Sequence, residues 1–228
     1  MTTQTKEQII LEWSNFLNGH SPEDGLVELC LTDVQKSGLS PETLEKSGVR
    51  TFSGNKNLLK ERLGFASINN QDILRHCRLI EIPYFNEKGE VLFYRYKVIP
   101  SLTDKDGKEI KYLQPKDKVA IPYILPGIWK IKDKPHKPLW IAEGEKKALK
   151  LTQHERYAIA LSGVWNFRSN NPGDADLFSE LKSFAWHGRT VYMAFDQDLW
   201  INPSVRAALY ELAFKLYELK AIVRIAQW

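Results

Sequence analysis

Between Leu139 and Ile225 short apolar runs alternate with helical patterns, and this alternation constrains the fold more than any other feature of the chain. Leu139–Ala142, Tyr157–Leu161, Thr190–Phe195 and Ala221–Ile225 read as strands, and Glu145–Leu151, Leu177–Phe184 and Asn202–Leu219 read as helices between them. In the longest helix Asn202 is the expected N-cap and Pro203 sits in the first turn, while Val205, Ala208, Leu209, Leu212 and Leu216 share one face. Repeated strand–helix–strand units predict an α/β fold with a parallel sheet flanked by helices. Sheets of this kind bind ligands outside the carboxyl ends of their strands.

Two of those ends are acidic. LWIAEGEKKALKL brings Glu143 to the tip of one strand, and RTVYMAFDQDLWINP brings Asp196 and Asp198 to the tip of another. In an extended segment residues two apart face the same side at about 6.6 Å, so Asp196 and Asp198 can face one cation with Gln197 turned away. Three carboxylates on one edge make a site for a hard cation such as Mg²⁺ (or Mn²⁺), whose natural companion is a phosphate. A divalent ion there polarises a phosphoryl oxygen, while an uncoordinated carboxylate serves as general acid or base. The competing reading is that Asp, Glu and Gly end buried strands because turns begin there. Lys146 and Lys147 follow Glu143 in the first helical turn, where the helix dipole favours anions rather than cations. They either reach a bound phosphate or nucleotide or are merely solvated. Gly163, at the end of the next strand in LSGVWNF, lines the same crevice, with Trp165 beside it as a further lining residue or a core anchor. His136, His154 and His187 show no partner at ligand spacing.

With 228 residues, 43% of them hydrophobic, the chain can bury one substantial core, or one core with a smaller neighbour. A net charge of +4, from 32 Lys and Arg against 28 Asp and Glu, is compatible with nucleic acid but far from the density of a basic tail. Cys30 and Cys77, the only two cysteines, lack the spacing of a zinc knuckle or redox pair and read as reduced thiols. MTTQTKEQIILEW has no signal-peptide core, and no later apolar run is long enough to span a membrane. The expectation is a cytoplasmic protein with no membrane partner.

The first 137 residues are organised differently. Ile9, Ile10, Trp13, Phe16 and Leu17 fall at helical spacing over Lys6–Leu17, and GHSPEDG breaks the pattern. LTDVQKSG and SPETLEKSG follow as a small helical hairpin, the second unit with Ser40 as N-cap, Pro41 at its first position and Gly48 as its stop. From Leu79, RLIEIPYFNEKGEVLFYRYKVIP alternates apolar and polar residues around Asn86–Gly89 as a β-hairpin does. TDKDGKE then turns into IKYLQPKD and VAIPYILPG, which makes this section β-rich and antiparallel. Arg95, Lys97, Lys108 and Lys111 alternate there with Tyr94, Tyr96 and Tyr112. Basic residues among aromatics track a phosphate backbone and stack bases, but they are also ordinary for a half-exposed sheet. The expected boundary lies in KDKPHKP, dividing the chain into 1–137, a basic α+β subdomain, and 138–228.

A strand ending in Glu-Gly and, two units later, one ending in Asp-x-Asp resembles the Toprim domain of bacterial-type primases, topoisomerases and some nucleases. IAEGEKKALKL, ALSGVWNF and VYMAFDQDLWINPSVRAALYELAFKL resemble a Toprim-like domain of unknown function found in replication proteins of plasmids, phages and integrated elements. GEVLFYRYKVIP and KYLQP are similar to the basic segment preceding Toprim in primases, and LSPETLEKSGV to its entry. The resemblance implies Glu143 as general acid/base or metal ligand and Asp196 and Asp198 as the metal pair, with Arg95 and Lys111 in a basic groove. It further implies Mg²⁺-dependent, primase-like nucleotidyl transfer on single-stranded DNA in replication of a mobile element, with nucleotides as substrates and a replicative helicase or polymerase as partner. Two other functions stay open: a non-catalytic module that binds single strands or nucleotides and recruits a helicase or polymerase, and a Toprim nuclease. No zinc-binding module precedes these segments, and the chain ends just after the expected fourth strand, so a component of a larger machine or a fragment is expected.

Overall fold

The computed structural model describes residues 5–19, 25–64, 70–104, 106–169, 176–196 and 200–226. The chain divides into two compact units, one of Met1–Tyr84 with Val91–Lys118 and one of Phe85–Glu90 with Val119–Trp228. The first holds α1 (Lys6–Leu17), α2 (Gly25–Lys36), α3 (Pro41–Ser47), β1 (Arg50–Thr51), α4 (Lys56–Leu63), α5 (Asn70–His76), β2 (Arg78–Phe85), β3 (Val91–Thr103) and β4 (Glu109–Leu113). α1 starts at a capping box in which the Thr5 hydroxyl accepts from Gln8 N–H and the Gln8 side chain accepts from Thr5 N–H. α3 carries the expected Ser40 cap, and Gly48 ends it at φ 69°, a left-handed conformation that glycine adopts without steric cost.

Among the described residues these strands form one sheet in the order β1-β2-β3-β4, antiparallel at β1–β2 and β3–β4. Its core gathers Phe52, Leu59, Leu63, Ile73, Cys77, Leu79, Tyr96, Val98 and Leu113. One carboxylate is buried here: Glu81 accepts from Arg50 Nε at 2.6 Å and from Arg62 Nη1 at 2.9 Å. Two cations answering one buried anion, with good hydrogen-bond geometry, satisfy what would otherwise be a costly charge. α4 and α5 fall where no periodicity had been read, because polar residues such as Asn57, Lys60 and Arg62 fill most of the helix surface and leave Leu59 and Leu63 to mark the buried side.

The second unit holds β5 (Tyr123–Ile124), α6 (Pro126–Trp129), β6 (Leu139–Glu143), α7 (Glu145–Gln153), β7 (Ala158–Leu161), α8 (Ser179–Lys182), β8 (Thr190–Ala194), α9 (Pro203–Glu218) and β9 (Ile222–Ile225). The sheet order is β5-β7-β6-β8-β9 among the described residues. β7, β6, β8 and β9 run parallel as the alternation implied, but β5 pairs antiparallel with β7, so the sheet is mixed. VAIPYILPG, read as part of the upstream β-section, thus contributes Tyr123 and Ile124 to this second sheet as an antiparallel edge, a common addition to a parallel sheet. Leu139, Ile141, Ala142, Ile159, Ala160, Leu161, Val191, Met193 and Ala194 are buried in the strands, and α9 adds the five apolar residues expected of it. The helix expected over Leu177–Phe184 is a single turn, because Leu177 is drawn into an antiparallel bridge with Arg168 and Phe178 offers no side-chain cap.

Arg189 is fully buried just before β8. Its guanidinium donates to Ala185 O at 2.8 Å, Lys137 O at 3.0 Å, Ile131 O at 3.0 Å and Lys132 O at 2.7 Å. The side chain thereby fastens the segments that follow α6 and α8 to the start of β8. Burial pulls its pKa down and the charge of Asp133 opposes that shift.

Candidate functional site

The carboxyl edge of the second sheet brings together what three separate sequence segments supply. β6 and β8 pair with Ala142 opposite Ala194, so Glu143 stands one residue and Asp196 two residues beyond a matched pair on adjacent strands. On the other side Glu143 is opposite Leu161, which places Ser162 and Gly163 next along the same edge. Gly144 donates to Leu161 O at 2.8 Å and takes φ 86° to swing the chain into α7, a conformation that strains any side chain. Asp198, the third expected carboxylate, lies outside the described residues.

Lys147, in the first turn of α7, forms an ion pair with Asp196. Its position against the helix dipole is therefore answered by a neighbouring strand. Lys146 is half-buried beside it. Glu143 is half-exposed as a residue, yet its Oε2 is shielded from solvent. A carboxylate held partly out of water next to another acidic strand end raises the local negative potential and favours cations.

The β7 side is braced. Asn166 donates from Nδ2 to Ser162 Oγ at 3.0 Å, and its N–H reaches Gly163 O at 2.9 Å. A Cβ at Gly163 would lie 3.2 Å from Asn166 Nδ2, so this glycine is kept small by its own loop as well as by any ligand. Trp165 donates from Nε1 to Ser204 Oγ at 3.1 Å at the start of α9, and Arg168 lies 4.1 Å over its ring. Arg168 also holds Glu211 of α9 through two parallel hydrogen bonds, Nε–Oε1 at 2.7 Å and Nη2–Oε2, which lowers the Glu211 pKa.

Two contributors were not expected from the sequence. Glu145, the first residue of α7, is buried, and Tyr123 of β5 is fully buried near it. Burial first, and the Glu145 charge second, push the Tyr123 phenol pKa up. The signal for Glu145 was present as an acidic residue in a first helical turn, where the dipole favours it. Tyr123 could not be connected to it before β5 was known to join this sheet.

Arg95 and Lys111 lie in the first unit. The Arg95 guanidinium stacks 4.3 Å over Tyr112, with Lys97 5.6 Å from the same ring, and Lys97 pairs with Asp33 at 3.0 Å. Lys111 falls in the irregular stretch between Tyr112 and Ile110 and pairs with Glu109 at 3.1 Å. The basic and aromatic residues of β3 and β4 thus contact each other on this sheet.

Among the described residues no group of three or more His, Cys, Asp or Glu side chains is arranged to hold a metal ion. The described pair, Glu143 and Asp196, nonetheless fits Mg²⁺ by donor chemistry: both are hard oxygen ligands on adjacent strands, and Asp196 already attracts a cation in Lys147. No helix of the described residues is long and apolar enough to cross a membrane.

Residues 128–228 match a family described as a domain of unknown function, DUF3854. No curated protein matches the sequence. Among solved structures the chain is similar to the zinc-binding and RNA polymerase domains of Aquifex aeolicus primase, at 15% identity and a TM-score of 0.57 over 99% of this chain and 56% of that one. It is similar to the catalytic core of E. coli primase at 14% identity and a TM-score of 0.56, covering 95% of this chain and 69% of that one. A DnaG primase catalytic domain bound to ssDNA matches at 14% identity and a TM-score of 0.56, covering 98% and 69% respectively. The chain therefore has the fold of primase catalytic domains, and it spans little more than half of the Aquifex chain.

Proposed function

We propose that the chain is a primase-like module, with the first unit as a basic, primase-core-like subdomain and the second, which takes in Val119–Lys137 as well as 138–228, as a Toprim-like domain. It transfers nucleotides onto a growing strand along a single-stranded DNA template, in replication of a plasmid, phage or integrated element. The observation that carries the reading is the position of Glu143 and Asp196, one and two residues beyond the matched pair Ala142 and Ala194, at the carboxyl edge of two adjacent parallel strands. The fold shared with primase catalytic domains supports it.

In this reading Asp196 and Asp198 hold Mg²⁺ or Mn²⁺, and Glu143 either joins them as a ligand or stays uncoordinated as the general base. When bound, the ion supplies neutralisation of charge on a phosphoryl group. As the base, Glu143, partly desolvated, accepts the proton of the attacking hydroxyl as the new phosphodiester forms and pyrophosphate leaves. Lys147 exchanges Asp196 for a phosphate oxygen, and Lys146 and the Gly163 loop bound the phosphate path. Arg95 and Lys111 contact the strand from the first unit. A helicase or polymerase is the partner that such a module serves.

The Lys147–Asp196 ion pair favours a second reading. A lysine seated on a metal-binding carboxylate neutralises it without a metal, which suits a module that binds single strands or nucleotides and does no chemistry. One experiment separates the two. The purified protein is incubated with a single-stranded template, nucleoside triphosphates and Mg²⁺ or Mn²⁺, beside Glu143→Gln and Asp196→Asn. Metal-dependent primer synthesis lost in both variants is the expected result. No synthesis, with template binding intact in all three proteins, would establish the binding module, and cleavage of the template in place of extension would establish a nuclease.

A further inference from the structure

The amino ends of the same parallel strands carry a second constellation that the carboxylate edge does not use. In register across four strands stand Ala158 of β7, Trp140 of β6, Tyr192 of β8 and Arg224 of β9. Residues opposite one another in a sheet project from the same face, and Trp140 and Glu143, three apart, project from opposite faces. The Trp140 and Tyr192 rings stack at 4.5 Å between centroids and 19° between planes, and both are half-buried. Arg224 is exposed.

An open cavity of about 390 Å³ lies against these two rings. Tyr157 and the basic residues Lys137 and Arg156 complete most of its wall, and Glu155 is its one carboxylate. The volume falls within the range of small-molecule sites, roughly 300–1,000 Å³. The rim is fixed: the Lys137 carbonyl accepts from the buried Arg189 at 3.0 Å. On the β8 side of Trp140 the ladder carries a ring and on the β7 side the buried Ala158, and the open space is the cavity that Tyr157 lines together with the Trp140 and Tyr192 rings.

We propose that this cavity binds a nucleobase, stacked on the Trp140–Tyr192 pair, with its phosphate on Lys137 and Arg156. Stacked rings recognise any base by its π-face, and two cations on the rim select for an attached phosphate over a neutral aromatic. Glu155 accepts a hydrogen bond from an exocyclic amine, which favours adenine over thymine. Arg224, next in the ladder, meets the following phosphate when the base belongs to a strand. The site stands on the face away from Glu143 and needs no metal, so it is independent of the chemistry proposed for the carboxylate edge.

The test is binding in EDTA, which removes any divalent ion from the carboxylate edge. Two probes are used: AMP by calorimetry, and a fluorescein-labelled deoxyadenosine 15-mer by anisotropy. The wild-type protein is compared with Lys137→Glu/Arg156→Glu and with Trp140→Leu, and Tyr192→Leu stands in if the tryptophan variant loses its native circular dichroism. Expected is binding by the wild type, weakened about tenfold or more by the ring substitution and by the charge reversal. Saturable binding of AMP identifies a mononucleotide as a sufficient ligand, and binding of the 15-mer alone identifies a base within a strand. The proposal is overturned if neither probe binds in EDTA, or if a folded ring variant and the charge reversal both bind as the wild type does.

Discussion

Replacing Arg189 with methionine tests the buried cation that ties four backbone carbonyls of the second unit together. The guanidinium donates four hydrogen bonds, to the carbonyls of Ala185, Lys137, Ile131 and Lys132. Methionine keeps the apolar stem and removes every donor, so four carbonyls lose a partner where water is scarce. Ile131 O and Lys132 O keep backbone partners in the N–H groups of Lys134 and Ala185, and at about 1 kcal/mol per hydrogen bond lost, the typical net contribution, the loss is about 4 kcal/mol. Methionine also ends the burial of a cation whose partners are carbonyls rather than a carboxylate, which returns part of that loss. The expected net destabilisation is about 3 kcal/mol, with Arg189→Lys intermediate because an ammonium has three donors and a shorter reach. For a chain of this size that corresponds to a fall of roughly 6–12 °C in Tm. Urea unfolding followed by far-ultraviolet circular dichroism measures it, and thermal melts check it. A loss smaller than about 1 kcal/mol for Arg189→Met would refute the argument that these four bonds fasten the unit.

Two further outcomes follow from local electrostatics. Burial, reinforced by the charge of Asp33, pushes the Cys30 thiol up to about 12, and burial raises Cys77 as well, so a thiol reagent at mildly alkaline pH should leave both unmodified in the native protein and label both in denaturant. Rapid labelling of either cysteine in the folded chain would contradict the packing around it. The hydrogen bonds from Arg168 hold the Glu211 pKa below its ordinary 4.5, and a lowered folded-state pKa gives stability that is fully present above the unfolded value and lost as pH falls through the folded one. Arg168→Ala should therefore be less stable than wild type near neutral pH, with the gap closing as pH drops below 4.5, and a gap that stays constant on acidification would show that this pair does not couple to folding.

The parallel direction of β6 to β9 was legible because β6, β7 and β8 read as short apolar runs and the helices α7 and α9 between strands carry apolar stripes. Ser40 and Asn202 as helix starts were legible because capping acts over three or four residues. Glu143 and Asp196 at strand tips were also readable, as each tip is set by where its own apolar run stops. α4 and α5 carry little sequence signal because each buries few residues, and the helical spacing of Leu177 and Phe178 overstates α8 because pairing with Arg168 and Phe167 holds both extended.

Sequence by itself thus determined which segments become strands and helices, and which side chains stand at their ends, because those outcomes depend on neighbours a few residues away. Only the tertiary structure decided the partners. It turned β5 into an antiparallel edge of the second sheet, seated Lys147 on Asp196 across 49 residues, and aligned Trp140 with Tyr192 across 52. Strand order and register are set by how all the elements bury their apolar faces together. A lysine that reads as solvated in its helix, or a tryptophan that reads as ordinary in its strand, acquires its chemistry only once that packing has chosen its neighbour.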